Sequence, residues 1–238
     1  YQLTPEYSMD KYRLHKHIRL NDAHRAGTGV VKANENPDID SLLYPGMQAL
    51  DEEYLKVDAQ FGGVDQRKIF VLAQEFLPKI KFKKRAHLMN FMVPGLSIKS
   101  LRNEKTGEVN LNVKMSASND STKIDVLDSK KKIKKKIARA YCREKDIEDN
   151  TPFVFLKSVV FPILERLEKK LVINRPKEYG GDVSFDSAKE VSDMFVKGKL
   201  SPVDLKIGLS LTLSDLLEPI RKVFEEKDNM ELLKKAYK

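Results

Sequence analysis

The segment that most limits what this chain can fold into runs from Val57 to Pro78. Val57-Asp-Ala-Gln-Phe61 alternates apolar and polar residues and stops at Gly62-Gly63. Ile69, Leu72, Ala73 and Phe76 then follow at helical spacing. Alternation is the period of a half-buried strand; recurrence every three to four residues is that of an amphipathic helix. A strand, a glycine pair and a helix in that order predict an α/β sheet, whose ligands sit beyond the carboxyl ends of the strands.

Around this unit most of the chain reads as helix. Met9, Tyr12, Leu14 and Ile18 predict one helix over 8–25, and Pro37-Asp38 starts a second that carries Leu42, Leu43, Leu50 and Leu55. His87 to Leu96 is apolar but irregular. Val109 to Val113 alternates again behind Thr106-Gly107, so residues 97–113 are expected to form an exposed β-hairpin. Farther on, Asp128 or Ser129 can cap a helix over 130–141, on which Ile133, Ile137 and Tyr141 point one way. Helices are expected at 153–170, 186–197, 202–217 and 229–237. The predicted organisation is an α/β part over 1–122 followed by a helical domain over 123–238.

Of 238 residues, 41% are hydrophobic and 33% charged, which excludes a disordered tail. No apolar run approaches the ~18 residues of a spanning helix. The best, Phe153 to Leu164, is broken by Lys157 and Pro162, so no membrane partner is expected. Cys142 is the single cysteine and alone supports neither a disulfide nor a thiolate metal cage, which points to a reducing, cytoplasmic home. His15, His17, His24 and His87 do not form a metal set. A net charge of +9 invites a polyanion, nucleic acid or nucleotide phosphate.

Three clusters can carry chemistry. Tyr44, Gln48 and Asp51, spaced i, i+4 and i+7, share a helix face; a phenol, an amide and a carboxylate together suit a polar ligand, or a solvated helix edge. Gly62-Gly63-Val-Asp65-Gln66 sits where a strand becomes a helix, allowing close backbone approach, with Asp65 able to accept from sugar hydroxyls or to cap the helix. Lys114-Met-Ser116-Ala-Ser118 can neutralise phosphate while the backbone wraps it, or can be an ordinary capped loop. The lysines of 130–136 suit nucleic-acid phosphates or the solvated face of an amphipathic helix.

The pentapeptide resembles the KMSKS-type signature of class I aminoacyl-tRNA synthetases. Together with Tyr-Pro-Gly-Met-Gln-Ala-Leu-Asp (44–51), Gly-Gly-Val-Asp-Gln-Arg-Lys-Ile-Phe (62–70) and His-Leu-Met-Asn (87–90), it makes the chain similar to tyrosyl-tRNA synthetases of the eukaryotic/archaeal type from Tyr1 to about Tyr237. Tryptophanyl-tRNA synthetases carry a similar lysine-methionine-serine loop, so Asp51 is the discriminating residue. A carboxylate suits a phenol and is costly to bury against an apolar side chain.

The resemblance implies a partial Rossmann-like nucleotide-binding domain followed by a helical anticodon-binding domain, and a tyrosine–tRNA ligase activity. By it Asp51 meets the tyrosine phenol, while Tyr44, Gln48 and Gln66 hold the amino group and its surroundings. Gly62, Gly63 and Asp65 meet the ATP ribose, backbone at Met92 and Val93 meets adenine, and Lys114, Ser116 and Ser118 hold the phosphates. In the helical domain Tyr179 stacks on the first anticodon base of tRNA(Tyr) and Asp204 accepts from its edge. Mg2+ is expected with ATP, and no permanently bound cofactor is. A homodimer packing through the segment from Ala26 to Leu43 is expected. Two departures stand out. The family's first phosphate signature, a Pro/His-x-Gly-His-like motif, does not occur, so the chain alone is expected to lack the first half of its ATP site and to be inactive. The 97–113 hairpin is longer than the usual link and is expected to shield or tune the phosphate loop. The alternatives are a non-catalytic synthetase-derived fragment binding tRNA or protein, and a tryptophanyl-tRNA synthetase relative.

Overall fold

The computed structural model describes residues 1–28, 37–96, 115, 120–148 and 150–236, so the expected hairpin at 97–113 lies outside the described residues. The chain divides into two compact units, Tyr1–Met92 and Val93–Lys238.

In the first unit, Thr4 caps α1 (Pro5–His15) by accepting from the Tyr7 amide, with Pro5 at the first position, where a missing N–H costs nothing. The helix expected over 8–25 is in fact two, α1 and α2 (Leu20–Gly27). No glycine or proline marks the break. Tertiary packing makes it: the His15 ring lies 2.7 Å from the Lys11 carbonyl and 3.2 Å from that of Leu43 on the next helix. That helix, α3 (Ile39–Tyr54), starts as expected at Asp38, whose carboxylate accepts from the Ser41 amide at 2.8 Å. Gly46 gives the His15 ring its room, since a Cβ there would lie 2.4 Å from Nε2.

After α3 come β1 (Ala59–Gly63), a 3-10 turn Val64–Gln66, α4 (Arg67–Phe76) and β2 (Ala86–Asn90). The strands pair in parallel, Gly62 opposite Met89 and Gly63 opposite Asn90. Strand β2 falls in the run that looks irregular in sequence, because its partner lies more than twenty residues upstream and its own exposure pattern does not alternate. Tyr7, Leu14, Ala49, Leu50, Leu72, Ala73, Phe76 and Leu77 form the core. Fully buried Leu14 and Leu50 each contribute about 1.5–3 kcal/mol by leaving water.

The second unit is built on α5 (Lys130–Ala138), α6 (Thr151–Phe155), α7 (Phe161–Arg166), the antiparallel pair β3 (Leu171–Ile173) and β4 (Val183–Phe185), α8 (Ala188–Val196), α9 (Pro202–Glu225) and α10 (Lys227–Ala236). Its core contains Leu96, Ile133, Ile137, Leu156, Leu171, Ile173, Val191, Phe195, Leu205 and Leu209. Residues of 93–122 that the sequence groups with the first domain join this unit by contact. Leu96 is in its core, the Leu96 amide donates to Thr122, and the Tyr141 amide donates to Leu96, both at 2.9 Å. Between α6 and α7 the helix widens into a π turn, where the Phe161 amide reaches back to Leu156. It directly precedes Pro162, whose ring is incompatible with a regular preceding turn. Ser129 caps α5. Helix α9 runs past the expected 217 to Glu225 despite Pro219, and β3 and β4, three residues each, carry no legible period.

The lysines of α5 divide by role. Lys132 and Lys136 reach Asp128 at 2.9 and 2.6 Å and Asp120 at 3.0 and 3.2 Å, while Lys130 pairs with Asp215 and Glu218. Lys136 and Asp128 are buried together. Much of this run is structural.

Candidate functional site

The face of α3 that the i, i+4, i+7 spacing singles out is present, and it is graded. Tyr44 is 43% exposed, whereas Gln48 and Asp51 are half-buried. Gln48 Nε2 donates to Gln66 Oε1 at 2.9 Å and so joins α3 to the turn after β1. That bond leaves Gln48 Oε1 buried without a hydrogen-bond partner among the described residues. A buried acceptor left in this state costs about 1–3 kcal/mol until a donor arrives.

Asp51 lies among phenols. Its Oδ1 accepts from Gln2 Nε2 at 3.2 Å and from the Tyr7 hydroxyl at 3.4 Å, while Tyr7 also donates to the Met47 carbonyl at 3.3 Å. Tyr7 packs edge-on against Tyr1 and Tyr54, with ring centroids 5.7 and 4.9 Å away. Burial first, then the charge of Asp51, raises the Tyr7 phenol well above its ordinary value; burial and the Asp51 hydrogen bond raise that of Tyr1. Tyr54, bonded to Asp10 at 2.8 Å, is pushed up to about 12, again by burial first and by the carboxylate second. Each of these phenols keeps its proton and donates. Sequence reasoning missed Gln2, Tyr7 and Tyr54. The available signal was Tyr54, one turn beyond Asp51 on the same face of α3.

The glycine turn sits at the carboxyl end of β1, as expected of an α/β ligand site. A Cβ at Gly62 would stand 3.0 Å from the Phe70 ring, and one at Gly63 would stand 2.4 Å from Asp65 Oδ1. The pair is therefore there for space. Asp65 lies in the 3-10 turn that leads into α4, whose N-cap residue Gln66 makes no side-chain capping bond.

Behind the turn is a polar column that the sequence does not announce. His87 on β2 stacks on Phe70 with centroids 4.5 Å apart, and Phe70 is the ring that fills the space behind Gly62. His87 Nε2 lies 2.7 Å from Glu52 Oε1, both side chains nearly solvent-free. The amide of Gln74 also faces the carbonyl of Arg85, which can only accept, so its NH2 must point there and to His87 Nδ1 at 3.1 Å. Nδ1 is then the acceptor and Nε2 carries the proton donated to Glu52. Arg85 in turn pairs with Glu53, the neighbour of Glu52 on α3.

Met92 closes the first unit and Val93 opens the second. The Val93 carbonyl accepts from the Met115 amide at 2.8 Å, which puts Val93 beside the centre of the Lys-Met-Ser segment. Lys114, Ser116 and Ser118 themselves lie outside the described residues. Elsewhere in the second unit Tyr179 ends a 3-10 turn before Gly180-Gly181 and is 65% exposed. Asp204 is in the first turn of α9, its amide donating to the capping Ser201 at 3.1 Å.

Among the described residues no group of three or more His, Cys, Asp or Glu is arranged to hold a metal. No helix among them is long and apolar enough to cross a membrane.

Comparison with known proteins matches residues 1–218 to the family described as tRNA synthetases class I (W and Y). The cytoplasmic tyrosine–tRNA ligase of Danio rerio is 47% identical over 237 residues, covering 100% of this chain and 41% of that protein. The cytoplasmic enzyme of Saccharomyces cerevisiae is 48% identical over 242 residues, covering 100% of this chain and 58% of its own length. Among solved structures, the Archaeoglobus fulgidus tyrosyl-tRNA synthetase complexed with L-tyrosine is similar at a TM-score of 0.76 and 35% identity, covering 93% of this chain and 64% of that one. The chain thus spans about half the length of the curated relatives it matches.

Proposed function

This chain belongs to the class I tRNA synthetases of the tryptophan and tyrosine group, and from that premise we propose that the protein carrying it is a tyrosine–tRNA ligase. Tyrosine and ATP are its small substrates and tRNA(Tyr) its macromolecular one. The tyrosine carboxylate attacks the α-phosphate of ATP, pyrophosphate leaves, and the tyrosyl group passes to the 3′ end of the tRNA.

The observation that carries this reading is on α3. Gln48 presents a buried acceptor with no partner among the described residues, and one turn later the Asp51 carboxylate already accepts a phenolic hydroxyl. An ammonium for the first and a phenol for the second describe tyrosine. Tyr44 and Gln66 complete the amino-acid side, Gln66 by fixing the Gln48 amide. Gly62, Gly63 and Asp65 take the ribose, and Met92 and Val93 the adenine. Lys114, Ser116 and Ser118 hold the phosphates as pyrophosphate departs. Such a site works by positioning and by stabilising charge, with no general base required. Mg2+ arrives with the nucleotide, held chiefly by phosphate and water. The described residues provide no cage of their own for it. Tyr179 and Asp204 read the first anticodon base. A homodimer through 26–43 and a cytoplasmic location complete the reading; the relatives' names support the location.

Replacing the carboxylate tests the pocket directly. In the full-length protein Asp51→Ala should lower the preference for tyrosine over phenylalanine in amino-acid-dependent pyrophosphate exchange by about 10- to 100-fold, the worth of a hydrogen bond to a charged group. Unchanged selectivity, or a wild-type protein that activates tryptophan instead, refutes the assignment.

A further inference from the structure

Tyr179 is mostly exposed and sits on a turn with two glycines, a poor platform for reading a base unless something holds it. The turn itself is held by Arg175, two residues past the end of β3 and 9% exposed. Its Nε donates to the Gly181 carbonyl at 3.0 Å and its Nη1 to the Lys199 carbonyl, also at 3.0 Å. Its own amide donates to Asp182 Oδ1 at 2.9 Å, and the second oxygen of Asp182 accepts from Asn174 at 2.9 Å. The Arg175 amide, then Asn174, then the arginine charge keep the Asp182 carboxyl below its ordinary value.

These bonds join two segments nearly twenty residues apart in sequence. One is the turn that follows Tyr179, closed by amide bonds from Gly180 to Lys177 and from Gly181 to Pro176. The other is the approach to α9, where Lys199 stands two residues before Ser201, the cap of the helix turn that carries Asp204. Gly180 leaves room for the guanidinium, since a Cβ there would come within 3.3 Å of Nη2. A planar fork with fixed N–H directions can hold both carbonyls at once; a lysine ammonium on a flexible stem cannot.

We propose that Arg175 is a positioning residue that sets the separation between Tyr179 and Asp204, and through it the discrimination at the first anticodon base. The proposal rests on the base-reading roles given to those two residues above. It adds that the selectivity depends on a buried side chain that touches no RNA.

The test uses full-length protein and two tRNA(Tyr) transcripts, one native and one with its first anticodon base replaced. Wild type should favour the native transcript in aminoacylation. Arg175→Met should raise KM for the native transcript at least tenfold and change that for the altered one less than twofold, so the preference collapses. Arg175→Lys, which keeps the charge and can satisfy one carbonyl, should fall between. Tyrosine-dependent pyrophosphate exchange, which needs no tRNA, should stay within twofold of wild type in both. Should Arg175→Met fail to fold, Asp182→Ala loosens the same turn from an exposed position and should show the same selective loss. Equal losses on both transcripts, or none, in the variants that fold overturn the positioning role. A wild-type protein indifferent to the base overturns instead the reading of Tyr179 and Asp204, and the proposal with it; that failure shows in the parent, not in the variants.

Discussion

Gly62-Gly63 and Gly180-Gly181 are the two glycine pairs of the chain, and they are glycine for opposite reasons. At the first pair the limit is room. Gly63 has an ordinary φ of −73°, but side chains at 62 and 63 would meet Phe70 and Asp65. At the second the limit is the backbone. Gly180 and Gly181 have φ of +94° and +70°, while a Cβ on Gly181 would meet nothing within 4 Å. One turn is braced from behind by a buried ring and an ion-pairing column, the other by an arginine that grips carbonyl oxygens. The same dipeptide thus serves close packing in one unit and chain reversal in the other, a distinction invisible in the letters.

The comparison breaks first at the column. His87→Leu leaves the buried Glu52 carboxyl without its donor and should cost about 3 kcal/mol in equilibrium denaturation, as an unsatisfied buried acceptor that carries charge does. A loss under 1 kcal/mol would mean that the column does not brace the turn. Next, Gly62→Ala should cost about 1–3 kcal/mol by overpacking against Phe70. Because the obstacle is a side chain, Phe70→Leu in the same protein should recover part of the loss. Gly181→Ala should cost about 1–2 kcal/mol through its left-handed backbone, with Asn milder than Ala. No trimming of neighbours should help there, and a compensating neighbour, if found by thermal denaturation, would erase the contrast.

The smallest effects are in pH. Burial alone would raise the Asp128 carboxyl, but hydrogen bonds from Lys136 and Lys132 outweigh it and hold the group below its usual 3.8. A folded value below the unfolded one stabilises above about pH 4 and is lost as pH falls through the depressed value. The Tm gap between wild type and Asp128→Asn should therefore narrow in acid. Tyr54 is the mirror case. Its folded value of about 12 exceeds the ordinary 10, so its contribution is whole below pH 10 and lost as pH climbs toward 12. Tyr54→Phe should make the alkaline decline of Tm shallower; an identical decline counts against the Tyr54–Asp10 bond.

Local grammar made much of the fold legible. Asp38 opens α3, Gly62-Gly63 ends β1, Ser129 caps α5, and Ile133 and Ile137 are fully buried where their spacing put them. What escaped depends on distant partners: β2, whose ladder lies on β1; the break after His15, made by a carbonyl of α3; and the three-residue strands β3 and β4, too short for a period to register. The site follows the same division. Gln48 and Gln66 were each legible from their own segment, and the structure shows them bonded. Glu52, Gln74 and Arg175 were not, because each acts through partners on other elements that spacing along one helix or strand cannot supply.

Met115 is held at both ends: its amide donates to Val93, and its sulfur accepts the Ile124 amide at 3.4 Å. A leucine would occupy much the same volume but has no lone pair, so that amide would lose this acceptor. The thioether is therefore a ligand for the backbone as well as a filler, a reason for methionine over other apolar residues that shape alone would not reveal.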